Sequence, residues 1–441
     1  MIRFRLYLLG LSLWLTTASH ATLPIQTFAT DSGAKVYLIE SHTLPMVDVQ
    51  IDFDAGSRRD PAGKTGLASR VASLTAKGLR AQGGLAALDE NQLGEAWADL
   101  GASFGGGAGD DRMSFKLRSL TQAALLSQAV ELAARQMAHP AYSTPQWEEE
   151  RARDIAALKE SLTRPATVAQ ERFMAALYPD HAYGQRVTEA SLRAIAVEDL
   201  MRFHRQHLLA CRAKISIVGA LNRQQAQDLA RQLLAHLPQP RPCPSLGPVA
   251  DPSPLRQAQD IQVPFDSAQS QVFLGQPAHK RSDPDFFPLL VGNHILGGGG
   301  FVSRLTHQVR EQRGLSYSVY SYFAPALHPG PFVAGLQTRP DQATQALQLT
   351  RDIVNEFIRH GPTEQELKAA QDNLIGGFAL RIDSNRKLLD NLANIAWYDL
   401  PANYLDTWTQ KVQAVTRQDI QSAFQRHLSS QKMVSLILGP V

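Results

Sequence analysis

Cysteine is almost missing from this chain. There are 2 in 441 residues, Cys211 and Cys243, which excludes a disulfide scaffold. In an oxidising compartment the two can pair and tie the end of the first half to the stretch behind it; as separate thiols they tie nothing. An excess of charge of one sign is missing too. A net charge of +3, without any block of Lys or Arg, leaves no electrostatic footprint for nucleic acid. Zinc-finger spacing, a nucleotide loop and low-complexity tracts are also absent. The Gly101–Gly107 run, GASFGGG, has no Lys-Ser/Thr behind it to make a phosphate cradle, and it reads as a flexible turn before the strand-like Met113–Leu117. After the N-terminus no segment is apolar for the ~20 residues a bilayer span needs.

What is present is the composition of a soluble globular protein, 44% hydrophobic and 19% charged, in a chain too long for one core. Residues 1–21 read as a secretory signal peptide. Arg3 and Arg5 form its basic end, Leu6–Leu15 a short apolar core, and Ser19-His20-Ala21 a small-x-Ala cleavage site. The apolar run is too short for a membrane anchor, so mature protein is expected from Thr22, in the periplasm or secreted.

An internal repeat organises the rest. Residues 193–221 align without a gap, at an offset of 220, with residues 413–441. Ala194, Asp199, His207, Leu208, Ile217 and Gly219 recur as Ala414, Asp419, His427, Leu428, Ile437 and Gly439. Each copy reads as an amphipathic helix capped near the Asp, then a short apolar strand ending at Gly. The Asp and His, matched in both copies, are expected to be scaffold residues. Between the copies lies a proline-rich spacer, PQPRPCPSLGPVADPSP at its core. The chain therefore divides into a signal at 1–21, a first α+β domain at 22–236, a linker at 237–262 and a second domain at 263–441. Alternation at Val47, Val49, Ile51 and Phe53 predicts a half-buried strand, Gln269–Leu274 reads as another, and helical patterns fill Thr121–Met137 and Thr144–Leu177.

Three motifs carry a resemblance. The run Gly56-Ser57-Arg58-Arg59-Asp60-Pro61, followed by Lys64-Thr65-Gly66-Leu67-Ala68, resembles the active-site entry of the pitrilysin, insulinase and mitochondrial processing peptidase family of zinc metallopeptidases. Asn293–Leu305 and Arg310–Ser321 resemble that family's Leu-Gly-Gly-Gly, Ser-Arg-Leu and Arg-Glu-x-x-Gly-Leu-x-Tyr-Ser pattern. Asp372–Phe378, Leu380-Arg381 and Ser384 match its late helical segment. The resemblance implies two homologous processing-peptidase-like domains. Each is an antiparallel-rich sheet with helices packed on it, and the two face each other across a cavity.

In that family the first run continues His-x-x-Glu-His, two zinc ligands and a general base on one helix. Here Ser69, Ala72 and Ser73 stand in those places, and a hydroxyl is no substitute for imidazole as a zinc ligand. The third ligand position falls near Ala157 if Glu150-Arg151 matches the family's Glu-Arg pair, or at Glu150 by counting from Ser73. Either way no metal and no catalytic residue is expected on this chain alone. The resemblance gives Arg310 and Tyr317 the role of binding the substrate backbone and its oxyanion. It also implies a zinc-bearing paralogous partner subunit, so the chain reads as the non-catalytic half of an exported heterodimeric peptidase acting on peptides. A stand-alone peptide-binding or chaperone-like pseudopeptidase is the alternative, with extended peptide added at the sheet edges. An autonomous zinc peptidase using His181, His204 and His207 as substitute ligands ranks last, since surface or structural roles suit those histidines better.

Overall fold

A computed structural model describes residues 24–440, so the signal-like stretch at 1–21 lies outside the described residues. The first half contains β1 (Gln26–Ala29), β2 (Lys35–Glu40), β3 (Met46–Phe53), α1 (Leu67–Ser73), α2 (Glu90–Asp99), β4 (Ser103–Ala108), β5 (Met113–Leu120), α3 (Ala123–Ala138), α4 (Thr144–Ser161), α5 (Pro165–Leu177), α6 (Glu189–Ala194), α7 (Val197–His207), β6 (Lys214–Gly219) and α8 (Arg223–Leu233). The second half contains β7 (Gln259–Pro264), β8 (Ser270–His279), α9 (Phe286–Asn293), β9 (Val319–Phe323), β10 (Gly330–Thr338), α10 (Ala343–His360), α11 (Glu364–Gly376), α12 (Asn385–Trp397), α13 (Tyr404–Gln413), α14 (Arg417–His427) and β11 (Val434–Gly439).

The strands form two sheets, in the orders β1-β2-β6-β3-β5-β4 and β7-β11-β8-β10-β9. With β1 set aside, the two orders are the same. In both, one pair is parallel, β2 with β6 and β7 with β11, and the remaining pairs are antiparallel. The repeat seen at the two chain ends therefore extends through both halves. Helix α7 and strand β6 recur at the same offset as α14 and β11, and α5 recurs as α12. The shared Asp residues do cap their helices. Asp199 accepts from Ala196 N at 2.9 Å and Asp419 from Thr416 N at 2.9 Å.

Three local readings change. The helical pattern across Thr144–Leu177 is two helices, because Pro165 lacks an N–H and opens α5 at its first turn. The glycine cluster is not a flexible turn: Ser103–Ala108 is the edge strand β4, paired antiparallel with β5. β7 starts at Gln259, inside the proline-rich stretch, where it adds in parallel to β11. That stretch is fastened rather than free. Cys211 and Cys243 are disulfide-bonded, Arg212 donates twice to the Pro244 carbonyl, and Arg59 donates to that of Gly247.

Neither half covers its own sheet. β3 is buried along Val47–Phe53, so both of its faces are sealed. One face holds the core of the first half, including Val49, Ile51 and Phe53. Over the other lies α12 from the second half, whose core takes in Tyr37, Ile39 and Val218 of the first sheet. In return α5 lies on β8 and β11 and buries Ala169, Phe173 and Leu177 against Val434, Leu436 and Leu438. Each fully buried Leu or Phe in these layers contributes about 1.5–3 kcal/mol.

The seam under α12 is polar where the helix ends. Lys214 donates to the carbonyls of Ala396 (2.9 Å) and Trp397 (3.0 Å), and Arg112 to that of Ala393 (3.1 Å), so first-half cations satisfy the carbonyls left open at the C-terminus of α12. Burial lowers the Lys214 ammonium, and the nearby Asp399 carboxylate opposes that shift. Lys214→Met leaves these carbonyls and Asp399 without the ammonium and is expected to cost about 1–3 kcal/mol. Urea unfolding of the variant checks this, and an unchanged midpoint would show that the seam does not depend on Lys214.

Candidate functional site

Helix α1 is positioned by its own N-terminus. The Asp60 carboxylate accepts from Gly66 N and Ala68 N, each at 2.8 Å, and Gly66 takes φ 102°, a left-handed conformation that glycine tolerates. Lys64, just before it, pairs with Asp199 at the start of α7. Burial pushes the Asp60 carboxyl up to about 6, with the two backbone donors opposing the shift. β4 crosses close by: a Cβ on Gly106 would sit 2.5 Å from the Phe115 ring and 3.3 Å from the Ala72 carbonyl oxygen. Glycine at 106 is therefore required for the edge strand to lie against this helix.

The residues on α1 do not fit a zinc ion. Ser69 is half-buried, Ala72 is fully buried and offers only a methyl, and the Ser73 hydroxyl donates to the Arg70 carbonyl at 3.4 Å. Of the two possible third-ligand positions, Ala157 is exposed, and Glu150 is taken by Lys77 (3.1 Å) and Arg153 (2.6 Å). What joins α1 to α4 is an ion pair the sequence did not single out, Arg70 Nη1 to Asp154 Oδ1 at 2.7 Å. Its signal was available in the sequence, as a cation beside Ser69 and a carboxylate one helical turn beyond Glu150.

The three histidines do not converge either. His204 Nε2 meets the Met137 carbonyl at 2.8 Å, His207 Nδ1 meets that of Asp54 at 3.2 Å, and His181 Nδ1 accepts from Tyr183 N at 3.1 Å. All three are buried, so the structural role holds and the surface role does not. Among the described residues, three potential ligand atoms come within 4.8 Å of one another at Asp283, Asp285 and His427, in the second half. There Arg426 grips both oxygens of Asp285, at 2.7 and 2.8 Å, and the group serves as an ion-pair network between α9 and α14.

Arg310 lies in a wide, π-type turn, Thr306–Glu311, of a kind often found where a helix is adapted to function. Its guanidinium carbon stands 4.4 Å from the Tyr317 ring centre and 4.9 Å from that of Phe301, so two aromatic rings hold it in place. Tyr317 is 82% exposed, and Phe301 and Val302 are 67% and 76% exposed. The two predicted site residues are thus in contact, Tyr317 exposed and Arg310 half-buried, and Phe301 joins them although sequence reasoning passed over it. The segment leads into β9, the edge strand of the second sheet.

Comparison with known proteins bears on the fold and the family. The profile of the peptidase M16 inactive domain matches residues 194–374. A crystal structure of a peptidase M16 inactive domain from Pseudomonas fluorescens superposes with a TM-score of 0.88 at 32% identity, over 95% of this chain and 98% of that one. Among curated relatives, the non-peptidase homolog YmxG of Helicobacter pylori is 27% identical over 89% of both chains. An uncharacterised zinc protease of Streptomyces coelicolor is 27% identical over 63% of this chain, and the match spans 61% of its own length. The periplasmic protease PqqL of Escherichia coli shares the fold, with a TM-score of 0.77 at 18% identity; all of this chain matches 49% of that one.

Fold and site together define a two-domain α+β protein of metallopeptidase architecture whose helix α1 carries Ser69, Ala72 and Ser73, side chains that do not suit zinc. The chain belongs to the pitrilysin-type M16 peptidase family, as an inactive member.

The buried histidines make stability depend on pH. Burial lowers His204 and His207 each to about 4, against 6.5 for the unperturbed side chain. Between those values the unfolded chain holds more protons at these two histidines than the folded one, so their contribution to stability rises with pH from about 4 to about 6.5 and is flat above, while the raised Asp60 carboxyl works in the opposite direction up to about 6. Urea midpoints measured across this window for the wild type and for His204→Gln check the sign; the variant should show a shallower rise.

Proposed function

We propose that this chain is an exported, zinc-site-lacking subunit of a heterodimeric peptidase, in which Arg310 and Tyr317 complete an active site whose zinc and general base lie on a paralogous partner. The observation that carries this reading is a contrast between the halves. The ligand helix presents Ser69 and Ser73 beside the Arg70–Asp154 pair. Arg310 and Tyr317, by comparison, are in contact, with Tyr317 exposed, Arg310 half-buried and no carboxylate on Arg310 among the described residues. A guanidinium and a phenol held this way are suited to a peptide carbonyl that develops negative charge. The name of the Helicobacter relative, a non-peptidase homolog, supports the loss of independent activity. The signal-like N-terminus supports export, as does the periplasmic description of the Escherichia coli neighbour.

Edge strands β4 and β9 favour a second reading, a stand-alone peptide-binding protein. Both lie at a sheet edge with one side unpaired, where an extended peptide could add as a strand. Binding without turnover in every mixture would favour this reading.

Hydrolysis of an internally quenched peptide separates the two. The mature chain alone should be inactive, and a mixture with a His-x-x-Glu-His-bearing paralogue from the same genome should be active. Arg310→Ala should lower the activity of the mixture by about 10²–10³-fold. Chelator-sensitive activity of the chain alone, or an Arg310→Ala mixture as active as wild type, would sink the heterodimer reading.

A further inference from the structure

The second half carries a surface depression of about 430 Å³, well away in sequence from the Arg310–Tyr317 segment, between the loop before α9 and helix α13. Phe286, Phe287 and Tyr404 line it. The two phenylalanine rings meet edge to face at 5.3 Å, and Phe287 lies 6.1 Å from Tyr404. Two cations stand over these rings. The Arg281 guanidinium is 3.7 Å from the Phe286 ring centre and donates to Tyr404 Oη at 2.7 Å, and the Lys411 ammonium is 5.5 Å from Phe287 and 5.7 Å from Tyr404. Neither has a carboxylate within 4.0 Å among the described residues.

Two acids also line the depression, and both are already engaged. Asp419 accepts from Thr416 N and Oγ1 at the start of α14, and Asp283 accepts from Asp285 N and lies 3.5 Å from His427. Arg281 and Lys411 thus stand without an ion pair among the described residues beside an aromatic wall, in a concavity within the size range of small-molecule sites. The half-buried Arg281 guanidinium, held over the Phe286 ring, is partly shielded from water, which strengthens its pull on an incoming anion.

We propose that this depression binds a carboxylate carried on a planar apolar group, with Lys411 and Arg281 taking the carboxylate and Phe286, Phe287 and Tyr404 packing the ring. Both a free aromatic acid and the C-terminal aromatic residue of a peptide have this chemistry. The site is independent of any partner and of the Arg310–Tyr317 pair.

Calorimetric titration of the full mature chain with N-acetylphenylalanine, its carboxamide and a pentapeptide ending in Phe tests the proposal. The acid should bind saturably and the carboxamide at least about tenfold more weakly, the loss expected for one charge-assisted hydrogen bond. Tighter binding of the pentapeptide would identify a peptide terminus as the source, and equal binding a free acid. Lys411→Ala, an exposed position on α13 where alanine suits the helix, should weaken the acid about tenfold, and Lys411→Arg should retain it. Equal affinity for acid and carboxamide, no saturation by about 10 mM, or an unchanged affinity in Lys411→Ala would overturn it.

Discussion

The structure depends on one packing constraint: each sheet is buried on both faces, and each half supplies enough helix to cover only one. Helices α12 and α5 cross over to close the other faces, at β3 and β6 in one direction and at β8 and β11 in the other. Because the two helices occupy equivalent places in the repeat, the chain behaves as a fused pseudo-dimer with an exchanged element. The fastened proline-rich stretch follows from this. Once the halves are locked by exchange, the connection has no hinge to serve, and the disulfide and arginine–carbonyl bonds hold it along the first half.

Charge completes what apolar burial begins. At the end of α12, Lys214 and Arg112 come from the first sheet to carbonyls of the second half, so the C-terminus of the exchanged helix is hydrogen-bonded across the seam. At the face of α1 the same logic appears where the family resemblance would put a metal. A guanidinium and a carboxylate tie α1 to α4, which keeps the helices joined without a ligand set. The architecture is shared with the Pseudomonas inactive domain, at a TM-score of 0.88. In the other half Tyr317 is exposed beside the half-buried Arg310.

Much of the fold was legible because the repeat could be read residue by residue. The capping Asp, the helix it starts and the strand ending at Gly follow from local chemistry, and both copies behave as that chemistry dictates. The misreadings have physical causes. Glycine has little intrinsic preference for a strand, so the β4 segment looked like a turn, and only the approach of the Phe115 ring and the Ala72 carbonyl to Gly106 shows why a strand needs glycine there. β7 was hidden among prolines because its partner β11 comes from the other end of the chain. At the site, Arg310 and Tyr317 were legible from their motif, whereas Phe301 was not, since its ring meets the guanidinium only after the wide turn folds back.

The sequence by itself determined that the chain is a duplicated α+β protein and that Ser69, Ala72 and Ser73 cannot hold zinc, because helix caps, strand alternation and ligand chemistry are local properties of residue type. Tertiary structure decided which half covers which sheet, whether Cys211 meets Cys243, which ion pair joins α1 to α4, and which cations were left without a carboxylate. Those outcomes rest on contacts between residues distant in sequence, where the deciding quantity is the geometry that burial imposes.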